Sequence, residues 1–187
     1  MHLPNAVING HSQIETAFIK EGCNSFHAAC EYVKTLPYGR TSRGADCSLV
    51  LSEQRGTCSS KHAILKVLAD QLSIDLKLMV GIYQMNEENT PGVGSVLDLT
   101  DYDFIPEAHC YLKSSDHIFD FTRAAMPNAP SISEFLLEVE IEPSDIGSKK
   151  REIHIDFLRD QYGDDAVTLM WGIRERCIKT LELNEVR

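Results

Sequence analysis

The order in which helical and strand patterns follow one another constrains the fold of this chain more than any single motif. Helical periodicity comes first, over about 13–20 and 25–36, where apolar residues recur on one face. Strand-like alternation dominates the middle of the chain, and helical patterns return from 148 onward. Strands and helices would have to alternate in a doubly wound parallel sheet. The observed order instead favours an α+β domain, with an antiparallel sheet against a helical layer.

The middle of the chain combines one long helix with several strands. The stretch RGTCSSKHAILKVLADQL, from Arg55 to Leu72, predicts an amphipathic helix with a broad apolar stripe. Strands are predicted in IDLKLMVGIYQM and SEFLLEVEIEP, and a hairpin is predicted in AHCYLKSSDHIFDFT. The segment 86–107 has no clear periodicity and predicts a long loop. The tail predicts two helices that break at Gly163.

The length of 187 residues is enough to bury a core without disulfides. We predict a single domain over 1–187, with a core of about 49–142 and a C-terminal helical hairpin of about 148–187. The apolar face predicted for the second helix of this hairpin consists of Ala166, Leu169, Ile173 and Cys177. Such a face packs either into the core or into a dimer interface, so a homodimer is a possible oligomeric state.

Composition excludes several classes of partner. A net charge of −10 and the lack of a long basic run argue against a nucleic-acid partner. The N-terminal MHLPNAVINGHSQ lacks the features of a signal peptide, and no segment has the ~18 apolar residues of a membrane span. Six scattered cysteines without a CxxC pair favour free thiols, although an even number leaves disulfides open. We therefore expect a cytoplasmic protein with no membrane partner.

Cys58 stands where the helix of RGTCSSKHAILKVLADQL begins. Thr57 is the predicted N-cap, so Cys58 falls in the first helical turn. Unpaired N–H groups and the positive end of the helix dipole favour a thiolate there, which is the reactive form of cysteine. The dipole contributes only about 0.3–1 kcal/mol. A nucleophile at this position therefore also needs a base or a cationic partner.

The predicted hairpin can supply that partner. With a two-residue turn at 114–115, Lys113 pairs with Asp116, and a four-residue loop gives the same register. This register sets His109 directly opposite Asp120, with Cβ atoms about 4.5–5.5 Å apart. The carboxylate can then hold the imidazole in one tautomer and stabilise its protonated form. A slip of one residue would remove the pairing, so the inference depends on the turn.

A known family has the same arrangement of residues. RGTCSSKHAILKVLADQL followed by AHCYLKSSDHIFDFT resembles the transglutaminase-like superfamily, which shares the core of papain-like cysteine hydrolases. The family pattern is a Gly-x-Cys that opens a core helix, a His that begins a strand, and an Asp in the next strand followed closely by Thr. Cys58, His109 and Asp120 match these positions, and the resemblance covers about 49–122. It implies a papain/transglutaminase-like core, in which the helix with the Cys packs on an antiparallel sheet, with extra helices at both ends.

The resemblance also implies a cysteine-dependent acyl-transfer enzyme. Cys58, His109 and Asp120 would form a catalytic triad that acts on an amide or ester through a thioester intermediate. Reaction of the thioester with water would make the protein an amidase or peptidase, and reaction with an amine would make it a transglutaminase. Both outcomes stay open. The expected substrate is a peptide, a protein or a small amide, and the chemistry needs no cofactor.

Two details depart from the family pattern. Papain-like enzymes bind the oxyanion with a Gln before the Cys, but Gln54 is only four residues before Cys58, closer than in those enzymes. Gln54 and the backbone N–H of Cys58 are the candidate oxyanion donors. A Trp often follows the family's His, whereas here the strand reads HCY and places Tyr111 there. Tyr111 and His62, which lies one helical turn after Cys58, are the candidate substrate contacts.

Two rival functions are weaker. A transglutaminase-like fold can serve as a non-catalytic protein-binding module. A metal-dependent hydrolase would use Cys58, His62, His109 and Asp120 as ligands, which are acceptable ligand types for zinc. Their spacing matches no common structural zinc signature, so we assign no metal site.

Several neighbouring residues have structural interpretations. Cys110 alternates away from His109 on the predicted strand and should face the core. Ser59 and Ser60 should satisfy backbone groups at the start of the helix. The basic residues of YGRTSRG and GSKKR are interpreted as solvated side chains.

Overall fold

The computed structural model describes residues 3–115, 117–123 and 130–184. Within these ranges the chain forms seven α-helices and a four-stranded antiparallel sheet, so the α+β prediction is confirmed. The helices are α1 (Gln13–Lys20), α2 (Phe26–Thr35), α3 (Leu49–Ser52), α4 (Cys58–Gln71), α5 (Gly94–Leu97), α6 (Ser148–Tyr162) and α7 (Asp164–Asn184). The strands are β1 (Lys77–Met85), β2 (Ile105–Ser114), β3 (His117–Phe119) and β4 (Leu137–Ile141). A 3₁₀ turn, Pro143–Ile146, precedes α6.

The sheet has the strand order β3-β2-β1-β4. β1 pairs with β2 from Lys77 opposite Lys113 to Met85 opposite Ile105, and β4 pairs with the other edge of β1. The predicted loop at 86–107 is therefore shorter than expected, because pairing with β1 extends β2 back to Ile105. The short helix α5 also lies within that segment.

Alternation along the two central strands separates two hydrophobic cores. Residues such as Leu78 and Cys110 pack with the N-terminal helices and α4. Tyr83 and other residues of the opposite face pack with α5 and α7. His109 alternates with Cys110 along β2 and therefore belongs to the opposite side of the strand.

Helix α4 is the centre of the first core. Its residues Ile64, Leu65 and Leu68 have no exposed surface, and the helix packs against both central strands and the first three helices. Burying each such side chain contributes about 1.5–3 kcal/mol. Thr57 is the N-cap, and its N–H donates to the hydroxyl of Ser60 at 3.0 Å. The predicted helix start at Cys58 and the predicted role of Ser60 are confirmed.

The C-terminal tail forms the predicted hairpin of α6 and α7, of which 185–187 lie outside the described residues. Gly163 makes the break between the helices with a φ of +82°, a conformation that glycine adopts without strain. α7 buries Met170, Ile173 and Cys177 in the second core. The prediction that Leu169 belongs to this face is wrong, since Leu169 is 54% exposed. Met170, the next residue, takes the buried position instead.

A buried ion pair attaches α7 to β2. Nε and Nη2 of Arg174 each donate to one carboxylate oxygen of Glu107 at 2.8 Å. Burial by itself disfavours the charged form of Glu107, but Arg174 outweighs burial and lowers the pKa of this carboxyl. A ring nitrogen of His154 on α6 also donates to the carbonyl of Pro106 at 2.8 Å. The hairpin is thus attached to β2 close to His109.

Arg174→Met should lower the free energy of unfolding by about 3–5 kcal/mol, because Glu107 would stay buried without its cationic partner. Adding Glu107→Gln should recover part of this loss, since a neutral amide needs no counter-ion. Urea unfolding followed by circular dichroism measures both effects. Arg176→Met, at an exposed position of the same helix, is the matched control and should change stability by less than about 0.5 kcal/mol. Equal losses for the two arginines would contradict the assigned role of the pair.

Candidate active site

His62 connects the start of α4 to the segment that follows β3. It has no exposed surface. Its Nε2 accepts a hydrogen bond from the backbone N–H of Phe121 at 2.7 Å, so Nδ1 carries the proton and donates to the carbonyl of Cys58 at 2.8 Å. Burial lowers the pKa of His62, which is consistent with a neutral ring. His62 therefore holds Cys58 at a fixed position beside the end of the hairpin.

The register of the β2–β3 hairpin differs from the predicted one. Lys113 pairs with Ile118, and the prediction that it pairs with Asp116 is wrong. Ser115 has a φ of +50°, so the turn begins one residue later than predicted. Asp116 itself lies outside the described residues.

His109 and Asp120 nevertheless meet. In the observed register, each β2 residue pairs with a residue two positions later than predicted. A shift of two residues keeps each side chain on the predicted face of the sheet. The two residues are therefore diagonal neighbours, and Nε2 of His109 lies 2.8 Å from Oδ2 of Asp120. The N–H of Thr122 donates to Oδ1 of Asp120 at 2.8 Å. Burial raises the pKa of Asp120, but His109 and this hydrogen bond outweigh it and keep the pKa low.

The second nitrogen of the His109 ring is available to Cys58. Nε2 bonds Asp120, so Nδ1 is the ring nitrogen that stays available to Cys58, which lines the same cavity. Burial by itself would lower the pKa of His109, but Asp120 and Cys58 outweigh burial and raise the pKa to about 10. A pKa this high favours the imidazolium at neutral pH, in a cavity that the ring shares with Cys58.

The surroundings of Cys58 favour the thiolate. The neighbouring thiol of Cys110 has the largest effect on this pKa, and Lys150 and His109 add to it. Together they outweigh the effect of burial and lower the pKa of Cys58 well below its ordinary value. Cys58 is 6% exposed, so a small molecule still reaches this thiolate through the adjoining cavities.

The structure adds three residues that the sequence did not assign to the site. Nζ of Lys150 lies 2.7 Å from Oγ of Ser59 and 3.7 Å from Sγ of Cys58. Cys110, which faces α4 as predicted, has its sulfur 3.6 Å from the same hydroxyl. The interpretation of Lys150 as solvated is wrong, since it is 8% exposed. Nearby sulfurs and Glu107 outweigh burial and raise the pKa of Lys150, which stays an ammonium.

One signal in the sequence pointed to Lys150. Lys150, His154 and Leu158 recur every four residues on α6, and all three are buried. Polar residues that share a helical face with a core leucine indicate a buried polar contact rather than a solvated surface. The partner of that face lies in a distant part of the chain, so the sequence alone did not name it.

Gln54 is not brought into the site. Its side-chain nitrogen donates to the carbonyl of Leu51 at 2.6 Å, and its oxygen accepts from the hydroxyl of Tyr32 at 2.7 Å. The side chain lines neither of the cavities that reach Cys58. The oxyanion role predicted for Gln54 therefore has no support from the geometry, and the backbone N–H of Cys58 is the remaining predicted donor.

Tyr111 and His62 lie beside the site but line neither of its cavities. The Tyr111 ring stacks on His109 with centroids 6.2 Å apart and on Phe135 at 4.7 Å. Its hydroxyl donates to the carboxylate of Glu138. Both residues therefore hold catalytic candidates in place, and the geometry gives neither of them a contact with substrate.

Two cavities meet at Cys58. A cavity of about 260 Å³ is lined by Cys58, His109 and Asp120, together with Tyr83 and Met85. A second cavity, of about 460 Å³, is lined by Cys58, the start of α4, Lys150 and part of the C-terminal hairpin. The three residues of the predicted triad thus share one cavity, and Lys150 lines the other cavity that reaches Cys58.

Within the described ranges, no three or more His, Cys, Asp or Glu side chains are grouped to hold a metal ion. All six cysteines are free thiols. In the same part of the chain, no helix is both long enough and apolar enough to cross a membrane.

No family model, curated protein or solved structure matches this chain.

Cys58 should react with iodoacetamide at pH 6 about tenfold faster than Cys47, although Cys47 is the more exposed thiol. Burial raises the pKa of Cys47 to about 11, whereas the pKa of Cys58 is lowered. Timed alkylation followed by peptide mass spectrometry measures each cysteine separately. Equal or slower reaction of Cys58 would contradict the assignment of a thiolate.

Proposed function

We propose that this protein is a cysteine-dependent acyl-transfer enzyme with a Cys58–His109–Asp120 triad. The observation that carries the proposal is the 2.8 Å contact of His109 Nε2 with Asp120, combined with the cavity that Cys58, His109 and Asp120 line together. A nucleophile, a base and a group that orients the base are the parts that covalent acyl transfer requires. The substrate is an amide or ester that fits a cavity of about 260 Å³.

The first step is attack of the thiolate on the substrate carbonyl. A sulfur–carbon bond forms, and the electron pair of the carbonyl moves onto oxygen. The N–H of Cys58 lies in the first turn of α4, where no carbonyl within the helix accepts from it, so it can donate to this oxygen. Because sulfur is already ionised, no proton has to leave it before the attack.

The second step is loss of the leaving group. His109 gives its proton to the leaving amine as the carbon–nitrogen bond breaks, and a thioester remains on Cys58. The neutral imidazole then takes a proton from water or from a second amine, and that nucleophile attacks the thioester. Water completes an amidase or peptidase reaction, and an amine completes a transglutaminase reaction. Asp120 keeps the ring oriented throughout because it bonds the nitrogen that does not transfer the proton.

We further propose a relationship to the transglutaminase-like superfamily and its papain-like core. The supporting observations are the Gly-x-Cys at the start of a core helix, the His on a strand and the Asp after the next strand. The packing of α4 on an antiparallel sheet fits the same layout. Peptides, proteins and small amides are the substrates that the relationship favours.

p-Nitrophenyl acetate should acetylate Cys58 as a thioester in a rapid burst of p-nitrophenol, because the activated ester needs no proton for its leaving group. Mass spectrometry of the modified peptide identifies the cysteine. Cys58→Ala should abolish the burst without unfolding the protein, and Cys47→Ala, a cysteine outside the site, should leave it unchanged. Acetylation spread over several cysteines, or none on Cys58, would favour a non-catalytic binding module.

Asp120→Asn should slow release of the acetyl group from Cys58 about 100-fold or more, because the base that activates water loses its orienting partner. Asp120 and Cys58 together raise the pKa of His109 to about 10, so removal of the Asp120 charge should shift that pKa downward. Rapid-quench mass spectrometry measures the deacetylation rate, and histidine NMR measures the pKa. Asp101→Asn, at an exposed position, is the matched control. An unchanged deacetylation rate would remove Asp120 from the triad.

A further inference from the structure

Lys150 brings a second cation to the nucleophile. Its Nζ lies 3.7 Å from Sγ of Cys58 and 2.7 Å from Oγ of Ser59. A buried ammonium is costly without a nearby anion. The carboxylate of Glu107 is taken by Arg174, and among the described residues Lys150 forms no ion pair with a carboxylate. Glu107 still favours the ammonium, but the sulfur of Cys58, at 3.7 Å, is the acidic group that Nζ of Lys150 contacts directly.

Lys150 and His109 line different cavities that both reach Cys58. His109 lines the 260 Å³ cavity, whereas Lys150 lines the 460 Å³ cavity together with Thr57 and Ser59 at the start of α4. The unpaired N–H groups of the first helical turn point toward that end of the helix. An oxygen that develops negative charge at that end of the helix would be within the influence of both these N–H groups and the ammonium.

We propose that Lys150 is a further catalytic residue, whose ammonium holds negative charge first on the sulfur of Cys58 and then on the oxygen of the attacked carbonyl. This inference rests on the proposed function and deepens it. It gives the site the oxyanion partner that the position of Gln54 does not provide. It also makes α6 part of the catalytic unit.

The charges balance in the acylation step. The thiolate supplies the electron pair of the new sulfur–carbon bond, and the carbonyl pair moves onto oxygen. Lys150 keeps all its protons and donates a hydrogen bond to that oxygen. When the pair returns to restore the carbonyl, the carbon–nitrogen bond breaks and His109 protonates the leaving amine. A thiolate and an imidazolium are consumed, and a thioester and a neutral imidazole are formed.

Other titratable groups also face this pair and have to stay in place during a test of Lys150. They are His109, Cys110 and Glu107 on β2, His154 on α6 and Arg174 on α7. A substitution at Lys150 keeps all of these side chains, but it removes a charge that also acts on Cys110, Glu107 and His154. The test therefore needs a variant that keeps the charge beside the variant that removes it.

The test is the pH dependence of Cys58 alkylation by iodoacetamide in the full chain. Lys150→Met should shift the profile to higher pH and slow alkylation at pH 6 about tenfold or more. Lys150→Arg, which keeps the charge, should retain most of the rate. Lys149→Met, the exposed neighbour that pairs with Asp145, is the matched control and should behave as the unmodified chain. An unchanged profile for Lys150→Met in a folded protein would overturn the proposal.

A second measurement isolates the oxyanion role. At a pH where Cys58 is fully ionised in both proteins, Lys150→Met should alkylate with iodoacetamide at least as fast as the unmodified chain. Acetylation by p-nitrophenyl acetate should still be slower, by about 100-fold, because only that reaction develops charge on a carbonyl oxygen. Equal acetylation rates would overturn the oxyanion part of the inference.

A third measurement covers the case in which Lys150→Met does not fold. If Lys150 stabilises the Cys58 thiolate, the thiolate stabilises the Lys150 ammonium equally, so Cys58→Ala should lower the pKa of Lys150. NMR of ¹³C-labelled lysine measures this pKa in a chain that keeps Lys150. An unchanged lysine pKa would overturn the proposal. Failure of the proposed function would give a different result. Alkylation of Cys58 would still depend on Lys150, but p-nitrophenyl acetate would form no acyl-enzyme with the unmodified chain.

Discussion

The position of Cys58 depends on one buried imidazole. His62 joins the carbonyl of Cys58 to the N–H of Phe121, which directly follows Asp120. Both of its ring nitrogens are used, and neither bond can be replaced by water in a position with no exposed surface. Because α4 and the hairpin are far apart in the chain, this bridge converts two separate structural elements into one rigid site. The packing of α4 against the sheet supplies the rest of the rigidity.

The four charged groups of the site stabilise one another. Cys58 and Asp120 carry the negative charges, and His109 and Lys150 carry the positive ones. Any one of these charges alone would be costly to bury, and it is the alternation of sign that makes all four acceptable in a protein interior. In the proposed reaction, the same arrangement would lower the barrier for acyl transfer, since the charge that moves from sulfur to oxygen would stay close to two cations. Lys150 belongs to the C-terminal hairpin, so the packing of this hairpin also determines whether the ammonium stays beside Cys58.

The sequence predicted most of the secondary structure because local patterns decide it. The cap at Thr57, the start of α4 at Cys58 and the break at Gly163 follow from propensities within a few residues. The hairpin register was predicted wrongly by two residues, since the turn was assigned without knowledge of its backbone conformation. The His109–Asp120 contact survived that error because side chains in a strand repeat every two residues. Leu169 was assigned to the wrong face because its spacing fitted the helical period while its neighbour Met170 had the better fit to the core.

The sequence by itself determined the residue types of the site and the elements that carry them: a cysteine at a helix start, and a histidine and an aspartate on one face of a hairpin. Local periodicity and capping are short-range effects, so they can be read from neighbouring residues. Only the tertiary structure decided which distant side chains complete the site. It brought Lys150 to the sulfur, turned Gln54 away toward Tyr32, and placed Tyr111 behind His109. These outcomes depend on how α6, α4 and the sheet pack together, and packing joins residues whose separation in the chain carries no local signal.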